Sequence, residues 1–352
     1  MIGTDGFMGL SEKRRKQLFW QVPFLLFLIA GTLFIVKQQR SMPYQKDHGF
    51  VFGTVYSITY QCEQNLQAEI EEELKAVDNE FSMFNEQSTV SKINTQEHPQ
   101  LSKRFMKVYE LACDVHQKTD GAFDVTVAPL VNAWGFGFKN ESLPGDAQVD
   151  SLRSFVGMQL LTLDKTAQQL LKKDDRVMLD FSAVAKGYGA DCVAALLRRR
   201  GVKNFMVEIG GEVVTQGISP SRMPWRIGVT KPTEDSLQAT QSLQAVLNVT
   251  DRAMATSGNY RNFYYNGGRK YAHTIDPRTG YPVQHSLLSA TVFASDCATA
   301  DAYATAFMVM GIDRAKALLE RQSELLAYFI YSDAEGRYAV WCSPTLNDAV
   351  SK

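Results

Sequence analysis

The stretch Phe205-Met-Val-Glu-Ile-Gly-Gly-Glu-Val-Val-Thr-Gln-Gly217 decides the fold. Two strand-like runs, Phe205 to Glu208 and Val213 to Gly217, follow each other with no helical segment between them. The pattern spreads outward. Trp225 to Val229, Ala245 to Val249, Ala253 to Ser257 and Asn262 to Tyr265 read as strands, and the Gly267-Gly268 pair reads as a hairpin turn before Tyr271 to Ile275. Phe50 to Gln61, Leu160 to Leu171, Val177 to Phe181 and Leu287 to Phe293 add more, with two closing strands around Asp333 to Gly336. Helical spacing marks Asn65 to Glu80 through Leu66, Ile70, Leu74 and Val77, and Leu101 to Lys118 through Phe105, Val108, Leu111 and Val115. Gly187 to Arg200, Thr299 to Met310 and Ile312 to Arg321 read as helices too. Strands that succeed strands predict an α+β fold of mixed, largely antiparallel sheets with packed helices, not a doubly wound parallel sheet.

The 352 residues are 45% hydrophobic and 21% charged, enough for a sizeable core in one or two domains. No repeat or low-complexity tract interrupts them. A net charge of −1 divides unevenly: residues 1–40 carry +4 and the remainder −5. An acidic body without a basic stripe argues against nucleic acid as a partner. The basic cluster flanks Leu18 to Val36, an uncharged run of 19 residues bounded by Lys16 and Lys37. Such a run is long enough to cross a bilayer, and Trp20 suits the interface. Lys13 to Lys16 outweigh Lys37 and Arg40, so residues 1–17 are expected in the cytoplasm, 18–36 as a single-pass transmembrane anchor and 37–48 as a linker. The large domain, 49–352, then faces the other side. A cleaved signal peptide is the rival, but no small-x-small site follows the apolar run. Cys62, Cys113, Cys192, Cys297 and Cys342 are widely spaced with no Cys-x-x-Cys pair, which reads as single buried thiols rather than a metal cluster.

Four stretches carry chemistry. Tyr271-Ala-His-Thr-Ile-Asp-Pro-Arg-Thr-Gly-Tyr-Pro282 sets His273 and Asp276 just before a tight turn enforced by Pro277 and Gly280, where a histidine can act as a base. Asp301 and Thr305, four apart near the start of an apolar helix, can offer two hard oxygens to a divalent metal; the plainer alternative makes Asp296 a helix cap and Asp301 a polar residue of the first turns. Asp180 to Gly189 joins a strand to a helix through small residues, so backbone N–H groups and Lys186 can meet a phosphate; Asp180 as a simple cap is the alternative. After Gly121-Ala-Phe-Asp124, the aromatics Trp134, Phe136 and Phe138 form either a core plug or a stacking wall for a flat heterocycle, and a Gly-rich loop runs on to about Asp150.

In combination these segments resemble the ApbE family, the bacterial FAD:protein FMN transferases, from about Phe50 to the C-terminus. The resemblance rests on Phe52-Gly-Thr54, Phe81-Ser-Met-Phe84, Ser91-Lys-Ile-Asn94, Gly121 to Gly137 and Leu179 to Tyr188. Glu208-Ile-Gly-Gly-Glu212, Thr256-Ser-Gly258, Tyr271 to Gly280 and Ala300 to Ala306 follow in the same order. It implies Mg2+-dependent transfer of FMN from FAD to a threonine hydroxyl of a target flavoprotein, forming a phosphoester and releasing AMP. The implied acceptors are subunits of membrane redox complexes, the sodium-pumping NADH:quinone reductase or Rnf-type, which puts the domain on the periplasmic side of the inner membrane.

Carried over by position, His273 would be the base, and Asp301, Thr305 and the Ala183 carbonyl would hold Mg2+. Phe52, Phe84, Ala122, Phe123, Asp124, Asp180, Lys186 and Ile275 would line the FAD site. Phe52 stands where many relatives have Met, Lys186 where some have Glu, and Ala304 where some have a second Asp. The same site could serve an FAD pyrophosphatase that makes FMN and AMP, or a membrane-tethered flavin-binding protein without turnover.

Overall fold

The computed structural model describes residues 12–137, 143–231, 243–259, 263–266 and 269–351. The chain opens with helix α1 (Glu12–Ser41) and strands β1 (Tyr44–Val51) and β2 (Thr54–Gln61). Helices α2 (Gln67–Phe81), α3 (Thr89–Asn94), α4 (Lys103–Lys118), α5 (Ala128–Ala133) and α6 (Asp146–Arg153) come next. A small hairpin, β3 (Leu161–Asp164) and β4 (Gln169–Lys172), precedes α7 (Ser182–Arg199). Then come β5 (Phe205–Ile209), β6 (Glu212–Gln216), β7 (Trp225–Thr230), β8 (Leu243–Val249) and β9 (Ala253–Gly258). The hairpin β10 (Phe263–Asn266) and β11 (Arg269–Ala272) leads to β12 (Leu287–Ala294), α8 (Cys297–Met310) and α9 (Ile312–Leu319). β13 (Leu326–Ser332), β14 (Tyr338–Cys342) and β15 (Val350–Ser351) close the chain.

One eight-stranded sheet, in the order β1-β2-β5-β6-β9-β12-β13-β14, organises the body, and every neighbouring pair in it is antiparallel. Alternation along its strands divides the core. Val214, Val292 and Phe329 face the helices, while Val213, Phe293, Tyr328 and Ile330 face a three-stranded sheet of β15, β8 and β7 that brings Leu247, Ile227 and Val229. Helices α2, α7 and α8 thus cover one face and a smaller sheet the other. Below the helices, Phe81, Phe105 and Phe181 pack with ring centroids 5.3–5.7 Å apart. The antiparallel α+β body agrees with the expectation from strand succession.

Several boundaries differ, each for a local reason. The single strand expected over Phe50 to Gln61 is a hairpin whose tip is Phe52-Gly53, with φ of 51° and 72°. Positive φ at both central positions suits the twist of a two-residue hairpin, and Phe is a poor advertisement for such a turn. The polar stretch 37–48, expected as a linker, is helix to Ser41 and strand from Tyr44. The expected loop running to Asp150 gives way to α6 at Asp146, and the Leu160 to Leu171 strand is the β3–β4 hairpin. Val177 to Phe181 forms only an isolated parallel bridge, Met178 to Val127; Asn94 stands in for a strand, accepting from Leu179 N–H at 2.7 Å and donating to its carbonyl at 2.9 Å. Helix α7 starts five residues before Gly187. The Gly267-Gly268 turn and Phe138 lie outside the described residues.

All five cysteines are free thiols. Along α1 the side chains of 20–33, 36 and 37 are described, and Trp20, Phe24, Leu25, Leu26, Phe27 and Leu33 are more than half exposed. Among the described residues no helix is long and apolar enough to cross a membrane.

Candidate active site

A cavity of about 1050 Å3 opens where the β1–β2 tip, the loop after α2, the start of α7 and the turn after β11 converge. Every residue expected at the site lines it: Phe52, Phe84, Ala122, Phe123, Asp124, Asp180, Ala183, Lys186, His273, Ile275, Asp301 and Thr305. Its size is at the top of the range for small-molecule pockets, about 300–1000 Å3, which leaves room for a dinucleotide.

His273 is half-buried, and the residue after it is held by hydrogen bonds. Thr274 Oγ1 donates to Asn259 Oδ1 at 2.6 Å, and Val283 N–H donates to the Thr274 carbonyl at 3.0 Å. The turn that follows closes through Gly280 N–H on the Asp276 carbonyl (2.8 Å) and Asp276 N–H on the Tyr281 carbonyl (3.0 Å). Gly280 has φ 83°, and a Cβ there would come within 2.5 Å of Val149. The Asp276 carboxylate, three residues beyond His273, is committed to Arg278, accepting from its backbone N–H, Nε and Nη2 at 2.7–3.0 Å. Trp134 proves a core plug: it is buried, and its Nε1 donates to the Gly280 carbonyl at 2.8 Å. Phe136 alone of the described aromatics in that stretch faces the cavity, its ring edge-on to His273 with centroids 6.3 Å apart.

Two expected flavin contacts are structural hubs as well. Asp124 is buried and accepts from Thr126 N–H (2.8 Å), Thr126 Oγ1 (2.5 Å) and Met158 N–H (3.2 Å), with His116 Nδ1 at 3.5 Å from its carboxylate. Burial pushes its carboxyl above the usual range, against the pull of those donors and of His116. Asp180 accepts from Ser182 N–H at 2.8 Å and from the Ser182 hydroxyl, which closes a turn just before α7; the cap position itself belongs to Phe181, without a side-chain hydrogen bond, so Asp180 is not the helix cap of the plainer alternative.

At the other wall Lys186 Nζ lies 3.3 Å from Glu212 Oε1 and 3.7 Å from Asp301 Oδ2. Burial would lower the ammonium's pKa, but the two carboxylates outweigh it and hold Lys186 charged. Burial raises the carboxyls of Asp301 and Glu212, the latter to about 8, while Lys186 opposes the shift. Nothing in the sequence marks Glu212 as part of this wall, because a buried acid at a strand start has the same one-letter appearance as a solvated one.

Gly187 brings α7 against α8: a Cβ there would sit 2.3 Å from the Cys297 carbonyl oxygen and 2.9 Å from Asp301 Cβ. At that contact Gly187 N–H donates to Asp301 Oδ2 at 3.0 Å. Its helical acceptor would be the Ala183 carbonyl, four residues back, which therefore has at most a shared claim on that donor. Thr305 Oγ1 meets Ser257 Oγ at 3.2 Å. Among the described residues, Glu212 Oε2 is buried with no hydrogen-bond partner. A carboxylate, a hydroxyl and a nearby backbone carbonyl fit a hard divalent cation that keeps open positions for water or phosphate oxygens. Among the described residues no three His, Cys, Asp or Glu side chains gather as a metal cluster, so the protein's share of such a shell is small.

Fold and cavity together define an α+β protein with a nucleotide-sized cleft between sheet edge and helices. The chain belongs to the ApbE family, whose model matches residues 52–330. It is 38% identical over 307 residues to the FAD:protein FMN transferase of Vibrio cholerae serotype O1, covering 84% of this chain and 90% of that protein. With the FAD:protein FMN transferase of Escherichia coli K12 it shares 32% over 337 residues, 90% of this chain and 94% of that one. The solved structure of the flavin transferase ApbE from Vibrio cholerae matches with a TM-score of 0.76 at 34% identity, covering 87% of this chain and 100% of that one.

Proposed function

We propose that this chain is an FAD:protein FMN transferase that moves FMN from FAD to a threonine hydroxyl of a target flavoprotein. The observation that carries the reading is the convergence in one cavity of His273, the oxygens of Asp301, Thr305 and Ala183, and an aromatic-lined wall. In the reaction the threonine Oγ attacks the phosphorus of the FMN half. The bond from that phosphorus to the bridging oxygen breaks, and AMP leaves with the oxygen. A threonine hydroxyl is a poor nucleophile at neutral pH, so His273 takes its proton as the phosphoester forms. Lys186, fixed between two carboxylates, adds positive charge to the same cavity wall. Mg2+, held by Asp301, Thr305 and the Ala183 carbonyl, would supply neutralisation of the pyrophosphate charge.

The proposal extends to place and partner. Residues 18–36 form an uncleaved single-pass anchor in the inner (cytoplasmic) membrane, with residues 1–17 inside and the catalytic domain in the periplasm. The uncharged run, the basic residues before it and the exposed apolar side chains of α1 support this. Flavoprotein subunits of the sodium-pumping NADH:quinone reductase or of Rnf-type complexes are the acceptors. Protease added to spheroplasts should digest the body and spare residues 1–17; protection of the body would reverse the orientation. Release of AMP and free FMN with no modified acceptor would favour a pyrophosphatase instead.

A further inference from the structure

β1 is the terminal strand of the eight-stranded sheet, so among the described residues one of its edges has no strand beside it. Its register with β2 is unbroken from Tyr44↔Gln61 to Val51↔Thr54, with no bulge and no proline. Natural edges are usually blunted by such devices, and here only Lys46 and the buried Asp47 bring charge. The Val55 carbonyl accepts from Gly210 N–H, on the side away from β1. Alternation in an antiparallel ladder then turns the N–H and C=O groups of Phe50, His48 and Lys46 outward from β2.

The side chains add a second observation. Phe50 and Val55 stand directly opposite each other and are 72% and 67% exposed. Their neighbour Phe52 turns the other way, its ring against the space above Gly189, where a Cβ would come within 2.6 Å. Gly49, Phe50, Val51 and Phe52 also line the cavity. An unpaired strand edge with an apolar pair on it therefore runs into the wall of the cleft.

We propose that this edge is the docking site of the acceptor protein, whose threonine-bearing segment adds to β1 in extended form with an apolar side chain seated on Phe50 and Val55. The inference rests on the transferase reading, which requires a protein hydroxyl to enter this cavity. Strand addition supplies affinity through main-chain hydrogen bonds, and an extended segment is narrow enough to lead into a cleft. Continuity of the edge with the cavity wall selects the acceptor over a lipid surface or a second copy of the chain.

The test uses the full chain in detergent with FAD, Mg2+ and a flavoprotein subunit carrying the acceptor threonine. Hydrogen exchange at the amides of residues 46, 48 and 50 should slow when the acceptor is added. His48→Pro removes an outward N–H at an edge position that tolerates proline, and Val55→Lys removes the apolar seat. Each should raise the KM for the acceptor about tenfold or more, with FAD affinity and kcat little changed. Unchanged exchange in β1 while transfer proceeds, or an unchanged acceptor KM in both folded variants, overturns the docking site. Slowed exchange with lipid vesicles alone, or with protein concentration alone, overturns it in favour of a membrane or self-association face. A wild-type chain that binds FAD but leaves the acceptor's mass unchanged overturns the transferase reading itself.

Discussion

His273 is positioned by its neighbours' backbone and by Thr274, while the carboxylate three residues on serves Arg278. In the proposed reaction its part is to take a proton from a fixed place. His273→Ala should cut FMN transfer by about 10²–10⁴-fold, the usual share of a positioned base, and leave FAD binding intact in a flavin-fluorescence titration. Equal transfer by the variant would remove the base assignment. Phe52 tests a different kind of residue. It sits at φ 51°, a conformation that costs an L-residue about 1–2 kcal/mol, with its ring facing the cavity. Phe52→Gly should leave the urea midpoint nearly unchanged, relief of backbone strain offsetting the lost ring, while weakening FAD binding. A variant that binds FAD as tightly would show that the strain serves no ligand. Residues of this kind were legible only through resemblance, since nothing in Phe52-Gly53 resembles the Asn-Gly of a hairpin turn. Glu212 was hidden because burial, which gives it meaning, is a tertiary fact.

Elements were legible where periodicity and caps agreed. Asp296 caps α8 as the sequence suggested, accepting from Thr299 N–H at 2.9 Å. The start of α7 is hidden in the sequence because Gly187 and Gly189 look like helix-start residues. In the structure they lie inside the helix, where missing side chains admit the Cys297 carbonyl and the Phe52 ring. Gly187→Ala should force α7 and α8 apart and cost on the order of 1–3 kcal/mol by urea unfolding, although alanine favours helices. A gain in stability would contradict the close approach. The same junction carries Asp191, which accepts from Cys297 N–H (2.8 Å) and Ala298 N–H (2.9 Å). Burial pushes its carboxyl up to about 7, against the pull of those two donors. The folded protein thus keeps a proton that the unfolded chain releases between the ordinary carboxyl value of 3.8 and about 7, so this site's contribution to stability falls as pH rises through that window. Asp191→Asn has no proton to bind, and the stability advantage of wild type over the variant should shrink between about pH 4 and about pH 7. A constant difference would show that Asp191 titrates as an ordinary acid.

At the scale of the whole molecule, strand succession was enough to indicate an antiparallel α+β body, because adjacent strands without a crossover helix have few other ways to pair. It could not indicate that β1 is an edge, that a three-stranded sheet covers the far face, or that segments from Phe52 to Thr305 meet in one cleft. Those are matters of which strand lies beside which, and local pattern does not encode them. Divalent ions should raise the melting temperature of wild type, since Asp301 and Glu212 share one lysine. Asp301→Asn should abolish that rise; a rise that persists would place the ion elsewhere. The central claim is tested most directly by the intact mass of the acceptor subunit after incubation with this chain, FAD and Mg2+, with and without EDTA. A gain of one FMN per acceptor, matched by AMP release and lost with EDTA, is predicted. AMP and free FMN beside an unmodified acceptor would contradict it.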